Sequence, residues 1–259
     1  MSVRKKVEPE GPVSNRENKT MAETLPKYSA EPPDYSRIVT EDDTPVDNIF
    51  SEKQQRLLTE SLNSSWRPGR PFVAASNVGI FYDLGKPPIV PDMFVSLDVQ
   101  VADDMWEKKN RSYFLSEFGK PPDIAVEVVS NTEGGETGRK IRIYARAGVR
   151  YYIIFDPQRL IQRDALRVYE LHGGQYLPKV GGRLTHAGLG VTVWEGVFEN
   201  NSSFWLRWLD HQGNLIPTGL ELAGLERKQT EEIKKQLMSE RRRADRLAEK
   251  LRELGIPFE

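Results

Sequence analysis

Apolar and polar positions along this chain change their period several times, and each change marks a predicted element. The runs "RPFVAASNVGIFY", "IVPDMFVSLDV", "DIAVEVVS" and "VRYYIIFD" are rich in β-branched and aromatic residues, which predicts strands. The last two are apolar enough to predict strands that are buried on both faces. The runs "ALRVYEL" and "QYLPKV" flank "HGG", which predicts a hairpin, and "LGVTVW" and "FWLRWLD" continue the strand pattern.

Two stretches inside the chain have the three- and four-residue apolar spacing of amphipathic helices. The first covers residues 52–66, and Ser51 begins it as part of a capping box. The second covers about residues 138–147, with Thr137 as its candidate cap and Gly148 as its stop. A helix, strands, a strand–helix–strand unit and then antiparallel strands predict a mixed α/β or α+β domain.

The last part of the chain, from about residue 221 to 254, is charged and has an apolar seam. The residues of this seam recur at three- and four-residue steps and are Ile233, Leu237, Ala244, Leu247, Leu251 and Leu254. Glu240 falls on the seam and weakens it, and Gly255 and Pro257 end the helix. The heptad pattern predicts a helix that self-associates into a homo-oligomer, although a helix that folds back onto its own domain has the same pattern.

Composition divides the chain into three parts. Residues 1–35 are polar and have too few apolar side chains to offset the entropy of ordering, so we expect them to be disordered. Residues 36–220 hold the predicted strands and form the expected domain, and residues 221–259 form the charged tail. The 37 basic and 38 acidic residues nearly cancel, so any surface that binds nucleic acid has to be a local patch.

What the sequence lacks excludes several classes of protein. The chain has no cysteine, which rules out disulfides and thiolate zinc sites, and its three histidines are widely spaced. The sequence has no apolar run of signal-peptide type and no stretch of the ~20 apolar residues that cross a bilayer. We therefore expect a cytoplasmic protein that does not contact a membrane.

Glu127 is the most unusual residue of the predicted strands, because it lies inside the apolar run "DIAVEVVS". A carboxylate buried in such a strand is costly unless a cation pairs with it. Asp92 lies in a neighbouring predicted strand, and two carboxylates suit Mg²⁺, which prefers oxygen ligands and usually takes only one or two carboxylates from the protein. A salt bridge from Glu127 to Arg142 or Arg146 is the alternative.

Lys140 is the candidate cation of this site. In the predicted helix Ile141 and Tyr144 face the sheet, and Lys140 lies ~40° from Tyr144 around the helix axis at ~100° per residue. Its long side chain could then reach the acidic pair and place a positive charge beside a phosphate in the transition state. The alternative is an ordinary solvated lysine on a basic helix.

In their order and spacing, these segments resemble the Uma2 (Uma-two) family of bacterial restriction-endonuclease-like proteins, a branch of the PD-(D/E)XK nuclease superfamily that is abundant in cyanobacteria. The resemblance covers about residues 45–259. The matching segments are "NVGIFY", "VPDMFVSLDV", "PPDIAVEVVSNTEGGETGRKIRIYARAGVRYYIIFDP", "LGVTVWEG" and "LRELGIPFE". It implies a restriction-endonuclease-like core with extra antiparallel strands and a C-terminal helix, and an endonuclease that depends on Mg²⁺ or Mn²⁺.

The resemblance also implies roles for single residues. Asp92 matches the acid of the PD motif, and Glu127 matches the acid of the (D/E)XK element. The superfamily places a lysine two residues after that acid, where this chain has Val129. In the family the lysine lies on the next helix, at the position of Lys140. Asp92, Glu127 and Lys140 are therefore the expected catalytic set, with the two acids as metal ligands.

Two more acids are supporting candidates. Asp123 matches a second PD of the family, but it precedes Glu127 by four residues, or ~13 Å along a strand, so the two should not bind one ion directly. Glu52, near the start of the first predicted helix, lies where related nucleases sometimes place a further metal-supporting acid. A glutamate is also common at that place because it complements the helix dipole.

The expected substrate is DNA. Lys108, Lys109 and Arg111 are candidate phosphate contacts, with a solvated charged loop as the alternative. The sequence leaves two other functions open. One is a nuclease that acts on RNA, and the other is a non-catalytic interaction protein with a nuclease-like fold that assembles through its C-terminal helix.

Overall fold

The computed structural model describes residues 48–130 and 136–254. The segment predicted to be disordered, residues 1–35, and the expected helix stop at Gly255 and Pro257 lie outside these residues, as does the domain boundary near residue 36. None of the helices in the described part of the chain is both long and apolar enough to span a membrane.

Strands outnumber helices, and a helix begins and ends the described part of the chain. In chain order the elements are α1 (Ile49–Ser65), β1 (Phe72–Ala75), β2 (Ile80–Phe81), β3 (Met93–Leu97), β4 (Tyr113–Phe114), α2 (Leu115–Phe118), β5 (Ile124–Val128), α3 (Ile141–Ala147), β6 (Tyr151–Phe155), β7 (Leu166–His172), β8 (Gln175–Lys179), β9 (Arg183–Leu184), β10 (Leu189–Phe198), β11 (Asn201–Leu209) and α4 (Gly219–Glu253). Turns of 3-10 helix cover Lys108–Asn110 and Thr185–Ala187, and a π-helical turn covers Glu136–Lys140.

A central sheet of six strands has the order β1-β3-β5-β6-β7-β8. β5 and β6 are parallel, with α3 in the connection between them, and the other neighbouring strands are antiparallel. A second sheet has the order β11-β10-β9, and β2 pairs with β4 in parallel. The structure therefore confirms the predicted mixed α/β fold with extra antiparallel strands and a C-terminal helix.

The two faces of the central sheet pack against different layers, because side chains alternate along a strand. Ile124, Val126 and Val128 of β5 belong to one apolar cluster, together with residues of α1, β10 and β11. Ala125 and Val129 belong to a second cluster on the other face, together with residues of α3, β2 and β4. Because both faces are covered, β5 and β6 have nearly continuous apolar sequences.

The first helix begins three residues earlier than predicted. Asn48 is the N-cap of α1, and its side chain accepts a hydrogen bond from the backbone N–H of Ser51 (3.0 Å). Ser51 therefore lies inside the first turn rather than at the cap. Leu58 and Leu62 are fully buried, as the apolar spacing predicted.

The predicted hairpin around "HGG" is confirmed by β7 and β8. His172 pairs with Gln175, so Gly173 and Gly174 form a two-residue turn. Their φ angles are 55° and 81°. A turn of type I′ needs positive φ at both central residues, which glycine adopts without a steric penalty.

The predicted C-terminal helix is confirmed by α4. Thr218 and Glu221 form a capping box at its start, and Glu221 also pairs with the guanidinium of Arg207 (2.7 Å), whose side chain is buried. The first turn is therefore held to the domain. Residues 225–247 are exposed, so this part of the apolar seam does not pack on the part of the domain that the structure describes.

Candidate active site

The candidate site lies at one end of the central sheet, where β3 begins and β5 ends. In the antiparallel β3–β5 ladder Met93 pairs with Val126. One further step of this register places Asp92 across from Glu127. The two acids that the sequence marked as a pair are therefore brought together by the neighbouring strands.

Glu127 is 1% exposed, and both of its oxygens accept hydrogen bonds from the helical segment after β5. Lys140 Nζ donates to Oε2 at 2.8 Å, and the hydroxyl of Tyr144 donates to Oε1 at 2.6 Å. A charged donor compensates the buried carboxylate, as the buried position requires. Lys140 is therefore the counter-ion of Glu127. The sequence had also allowed Arg142 or Arg146 in this role.

Tyr144 can act only as a hydrogen-bond donor toward Glu127. It is completely buried between α3 and the sheet. Burial, and then the charge of Glu127, raise the pKa of Tyr144 well above its ordinary value. The phenol therefore stays protonated at any pH at which the protein is expected to work, and its O–H holds one carboxylate oxygen in a fixed place.

Lys140 is positioned by a π-helical turn that sequence reasoning did not predict. The expected helix over residues 138–147 consists of the last part of the turn Glu136–Lys140 followed by α3, and Gly148 ends α3 in the left-handed region, with φ 85°. Lys140 and Tyr144 are four residues apart, so they lie on one face of the helical segment. Both side chains can therefore reach the same carboxylate.

Asp92 is held by donors from three parts of the fold. The backbone N–H of Val128 donates to Oδ2 at 2.5 Å, and Gln55 of α1 donates through Nε2 to Oδ1 at 3.0 Å. The Gln55 oxygen in turn accepts from Asn77 Nδ2 at 2.7 Å, and the backbone N–H of Asn77 donates to the carbonyl of Asp92 at 3.3 Å. This network fixes the orientation of the Asp92 carboxylate.

The sequence profile of the Uma2 family, described as "Putative restriction endonuclease", matches residues 38–191, which is more than half of the chain. The chain belongs to the Uma2 family. The matched region contains Asp92, Glu127 and Lys140, and the family supports a nuclease-type function.

Other comparisons add little to the Uma2 assignment. Among curated proteins, none matches the chain significantly. A solved structure that is similar is described as a putative nuclease belonging to DUF820 from Anabaena variabilis ATCC 29413. It has 17% sequence identity and a TM-score of 0.37, over 52% of this chain and 69% of that chain. At so low an identity and TM-score, this likeness carries no argument about the site.

Val129, two residues after Glu127, lies in an apolar environment. Val129 is 3% exposed and belongs to the apolar cluster that includes Tyr144 and Ala147. A lysine at this position would place an ammonium group in that cluster, which is costly. Lys140 instead brings the positive charge to Glu127 from a partly exposed position.

Gln55 is a residue of the site that sequence reasoning missed. It lies on the buried face of α1 next to Gln54, whose side chain makes two hydrogen bonds to the backbone of Leu206 in β11. Gln54 and Gln55 lie on the apolar stripe that contains Leu58 and Leu62, and this pattern in the sequence could have identified Gln55. A polar side chain on such a stripe needs a specific partner.

Glu52 lies away from this network. It is exposed, and its carboxylate pairs with Arg56 at 2.9 Å within α1. Arg56 also contacts Glu199, in the turn between β10 and β11. Arg56 therefore links α1 to the second sheet, with Glu52 as its partner within the helix, while Gln55 reaches Asp92.

Asp123 lies at the opposite end of β5 from Val128. Its Oδ2 accepts hydrogen bonds from the backbone N–H of Leu97 (2.8 Å) and from Lys120 Nζ (2.5 Å), and its own N–H donates to the carbonyl of Val95 (2.8 Å). These bonds tie the start of β5 to the end of β3. The structure therefore places Asp123 where it supports the strand pair.

The three basic residues that were candidate phosphate contacts lie in or next to the 3-10 turn before β4. Lys109 pairs with Glu107 at 3.1 Å, and Arg111 Nε donates to the carbonyl of Trp106 at 2.9 Å. Lys108 begins the turn. These contacts are local to the loop and do not connect it to the acidic pair.

The residues present suit a divalent ion. Clusters of three or more His, Cys, Asp or Glu side chains that could hold a metal are absent from the described residues. Magnesium, however, usually takes only one or two carboxylates from a protein, with water and substrate oxygens as its other ligands. Asp92 and Glu127, across from each other on adjacent strands, are such a pair.

Proposed function

We propose that this protein is a metal-dependent endonuclease that hydrolyses phosphodiester bonds in DNA. The observation that carries the proposal is the convergence of Asp92, Glu127 and Lys140, with Lys140 Nζ 2.8 Å from a buried oxygen of Glu127. Membership of the Uma2 family supports a nuclease-type reaction. Mg²⁺ is the proposed cofactor, and Mn²⁺ is the proposed substitute.

Asp92 and Glu127 would hold the ion. When bound, a divalent ion neutralises charge on the phosphate and makes a water molecule more acidic. The protein's part is to hold the two carboxylates in a fixed orientation. The Val128 N–H and Gln55 do this for Asp92, and Tyr144 and Lys140 do it for Glu127.

Lys140 has a second proposed role. Its side chain is 28% exposed, so the ammonium group lies between the buried carboxylate and the solvent from which a substrate arrives. In phosphodiester hydrolysis, negative charge gathers on the phosphate oxygens in the transition state, and a cation already in position stabilises it. Lys140 therefore orients Glu127 before the reaction and stabilises phosphate charge during it.

The test is cleavage of plasmid DNA and of a structured RNA by the full-length protein, with Mg²⁺, with Mn²⁺ and with EDTA. We expect nicking of DNA that requires the metal and is abolished by Asp92→Asn and by Glu127→Gln. A matched control is Glu170→Gln, because Glu170 also lies on a strand and pairs with a lysine, Lys179, at 3.0 Å. This control should cleave like the wild type.

Each alternative has its own result. Cleavage of RNA but not DNA would show that the substrate is wrong and that the site is right. Unchanged cleavage by Glu127→Gln would show that the assigned site is wrong. If neither substrate is cleaved under any condition, and calorimetry with Mn²⁺ detects no binding, the proposed activity is wrong and the non-catalytic function remains.

A further inference from the structure

A groove of about 760 Å³ lies beside the candidate active site. One wall is the segment from Tyr82 to Val90, between β2 and β3, and the other is the helical face of residues 139–146. Lys140 lines this groove, and its ammonium group contacts Glu127. Lys140 therefore connects the groove to Glu127.

Positive charge dominates the lining of the groove. The cations that line it are Lys86, Arg139, Lys140 and Arg146, and its described lining contains no carboxylate. Asp83, next to the groove, pairs with Lys86 at 2.7 Å. Lys140 is likewise paired, with Glu127. The positive charge of the groove beyond these ion pairs therefore comes from Arg139 and Arg146, in a chain whose net charge is −1.

The spacing of Arg139 and Arg146 on the helical wall suits a polymer with regularly repeated phosphate groups. Arg139 and Arg146 are exposed and lie seven residues apart on one face, with Ile143 between them. Seven residues span about 10 Å along a helix, and successive phosphates of one DNA strand advance by about 3.4 Å. The two guanidinium groups could therefore contact different phosphates of a single strand.

The other wall offers apolar surface. Tyr82, Pro87, Pro88 and Ile89 line the groove opposite the arginines. Grooves that bind single nucleic-acid strands combine cations along the backbone with an aromatic side chain on which a base can stack. Tyr82 is the aromatic residue in the described lining of this groove, and the two prolines restrict the conformation of the wall.

We infer that this groove binds one strand of the nucleic-acid substrate next to the scissile phosphate, with Arg139 and Arg146 as backbone contacts. The inference rests on the proposed nuclease function, because the groove is assigned to the strand that enters the Asp92–Glu127 site. It differs from the contacts expected from the sequence, which lie near Lys108.

Binding is measured on the full-length protein by fluorescence anisotropy, with a labelled 20-nucleotide DNA single strand, the matching duplex and an RNA strand of the same sequence. EDTA is present, and a gel checks that the probe stays intact. The variants are Arg139→Ala and Arg146→Ala. Arg142→Ala is the matched control, because Arg142 is exposed on the same helix but does not line the groove.

Each groove variant should bind the single strand more weakly than the wild type at low salt. The slope of log K against log salt concentration should become shallower by about 0.7 for each phosphate contact that is lost. Arg142→Ala should keep the wild-type slope, and Arg146→Lys should recover most of it. Thermal melting of the variants should match that of Arg142→Ala, since the substituted side chains are exposed.

The results separate the groove from the proposed function. If the wild type cleaves DNA but both groove variants bind like Arg142→Ala, the groove assignment is wrong and the nuclease assignment stands. If the wild type neither cleaves a substrate nor binds Mn²⁺ in calorimetry, but the groove variants lose binding and slope, the groove is a nucleic-acid site and the nuclease assignment is wrong. Absence of measurable binding by the wild type to every probe would overturn the groove assignment.

Discussion

Removing the charge of Lys140 should destabilise this protein more than removing the charge of any exposed lysine. Lys140→Met keeps much of the side-chain volume but leaves Glu127, which is 1% exposed, without the cation that contacts it at 2.8 Å. The hydroxyl of Tyr144 still donates to the other oxygen, but a neutral donor does not compensate a full negative charge.

The expected magnitude follows from the burial of the two partners. Removing one partner of a buried ion pair costs about 3–5 kcal/mol. The side chain of Lys140 is 28% exposed, so water can reach the vacated place and the loss should be at the lower end, about 3 kcal/mol. For a domain of this size, that loss lowers Tm by roughly 6–12 °C.

The assay is urea and thermal unfolding of four proteins, namely the wild type, Lys140→Met, Glu127→Gln and the double variant. In the double variant a neutral glutamine replaces the charged Glu127, and its side-chain oxygen can still accept a hydrogen bond from Tyr144. It should therefore be more stable than Lys140→Met, with a coupling energy of about 1–3 kcal/mol.

A matched lysine tests the argument. Lys179 pairs with Glu170 at 3.0 Å, but Glu170 is more exposed than Glu127. Glu170 is 16% exposed against 1% for Glu127, so water can solvate part of its charge when the lysine is removed. Lys179→Met should therefore cost less, about 1 kcal/mol. The reasoning is refuted if Lys140→Met costs no more than Lys179→Met, or if the losses of the two single variants simply add in the double variant.

Three further predictions concern the metal, the tail and the buried tyrosines. Gln55→Ala should weaken Mn²⁺ binding about 10–100-fold in calorimetry, because it releases Asp92, whereas Glu52→Ala should leave the affinity unchanged; equal affinities would remove Gln55 from the site. In light scattering, the full chain should form oligomers that a chain ending at residue 225 does not form. Basic side chains outnumber acidic ones by ten to seven over residues 226–253, so two copies repel each other weakly and salt should strengthen this association; a monomer at every salt concentration would disprove it. Burial raises the pKa of Tyr113 and Tyr144 above the ordinary 10.0, so these phenols bind protons more tightly in the folded chain. The stability that these raised pKa values add to the folded chain is fully present below pH 10.0. As the pH rises above that value, the free energy of unfolding falls by about 1.4 kcal/mol per tyrosine and pH unit. Tyrosine absorbance followed during alkaline titration would contradict this if both residues ionised before unfolding.

The sequence by itself determined the local helices and strands, and it showed that one apolar strand contains a carboxylate, Glu127. A strand buries alternate residues and a helix buries every third or fourth, so the apolar runs predicted β5, β6 and the helical segment between them. The same alternation marked Glu127 as a carboxylate that needs a cation. These properties depend on neighbours in the sequence, and for that reason they were predictable.

Only the tertiary structure decided which cation pairs with Glu127. Lys140, Arg142 and Arg146 all follow β5 closely in sequence. The choice depends on how the helical segment is rotated over the sheet. Burial of Tyr144 fixes this rotation, and the π-helical turn places Lys140 on the same face. That turn has no periodic signature in the sequence.

The same reason explains why Gln55 and not Glu52 reaches Asp92. Residues three apart on a helix differ by about 60° around its axis, so a small rotation decides which one faces the sheet. Leu58 and Leu62, buried against the second sheet, set that rotation. A helix's period is a local property, but the direction it faces depends on residues that are distant in the sequence, and only the folded chain brings those together.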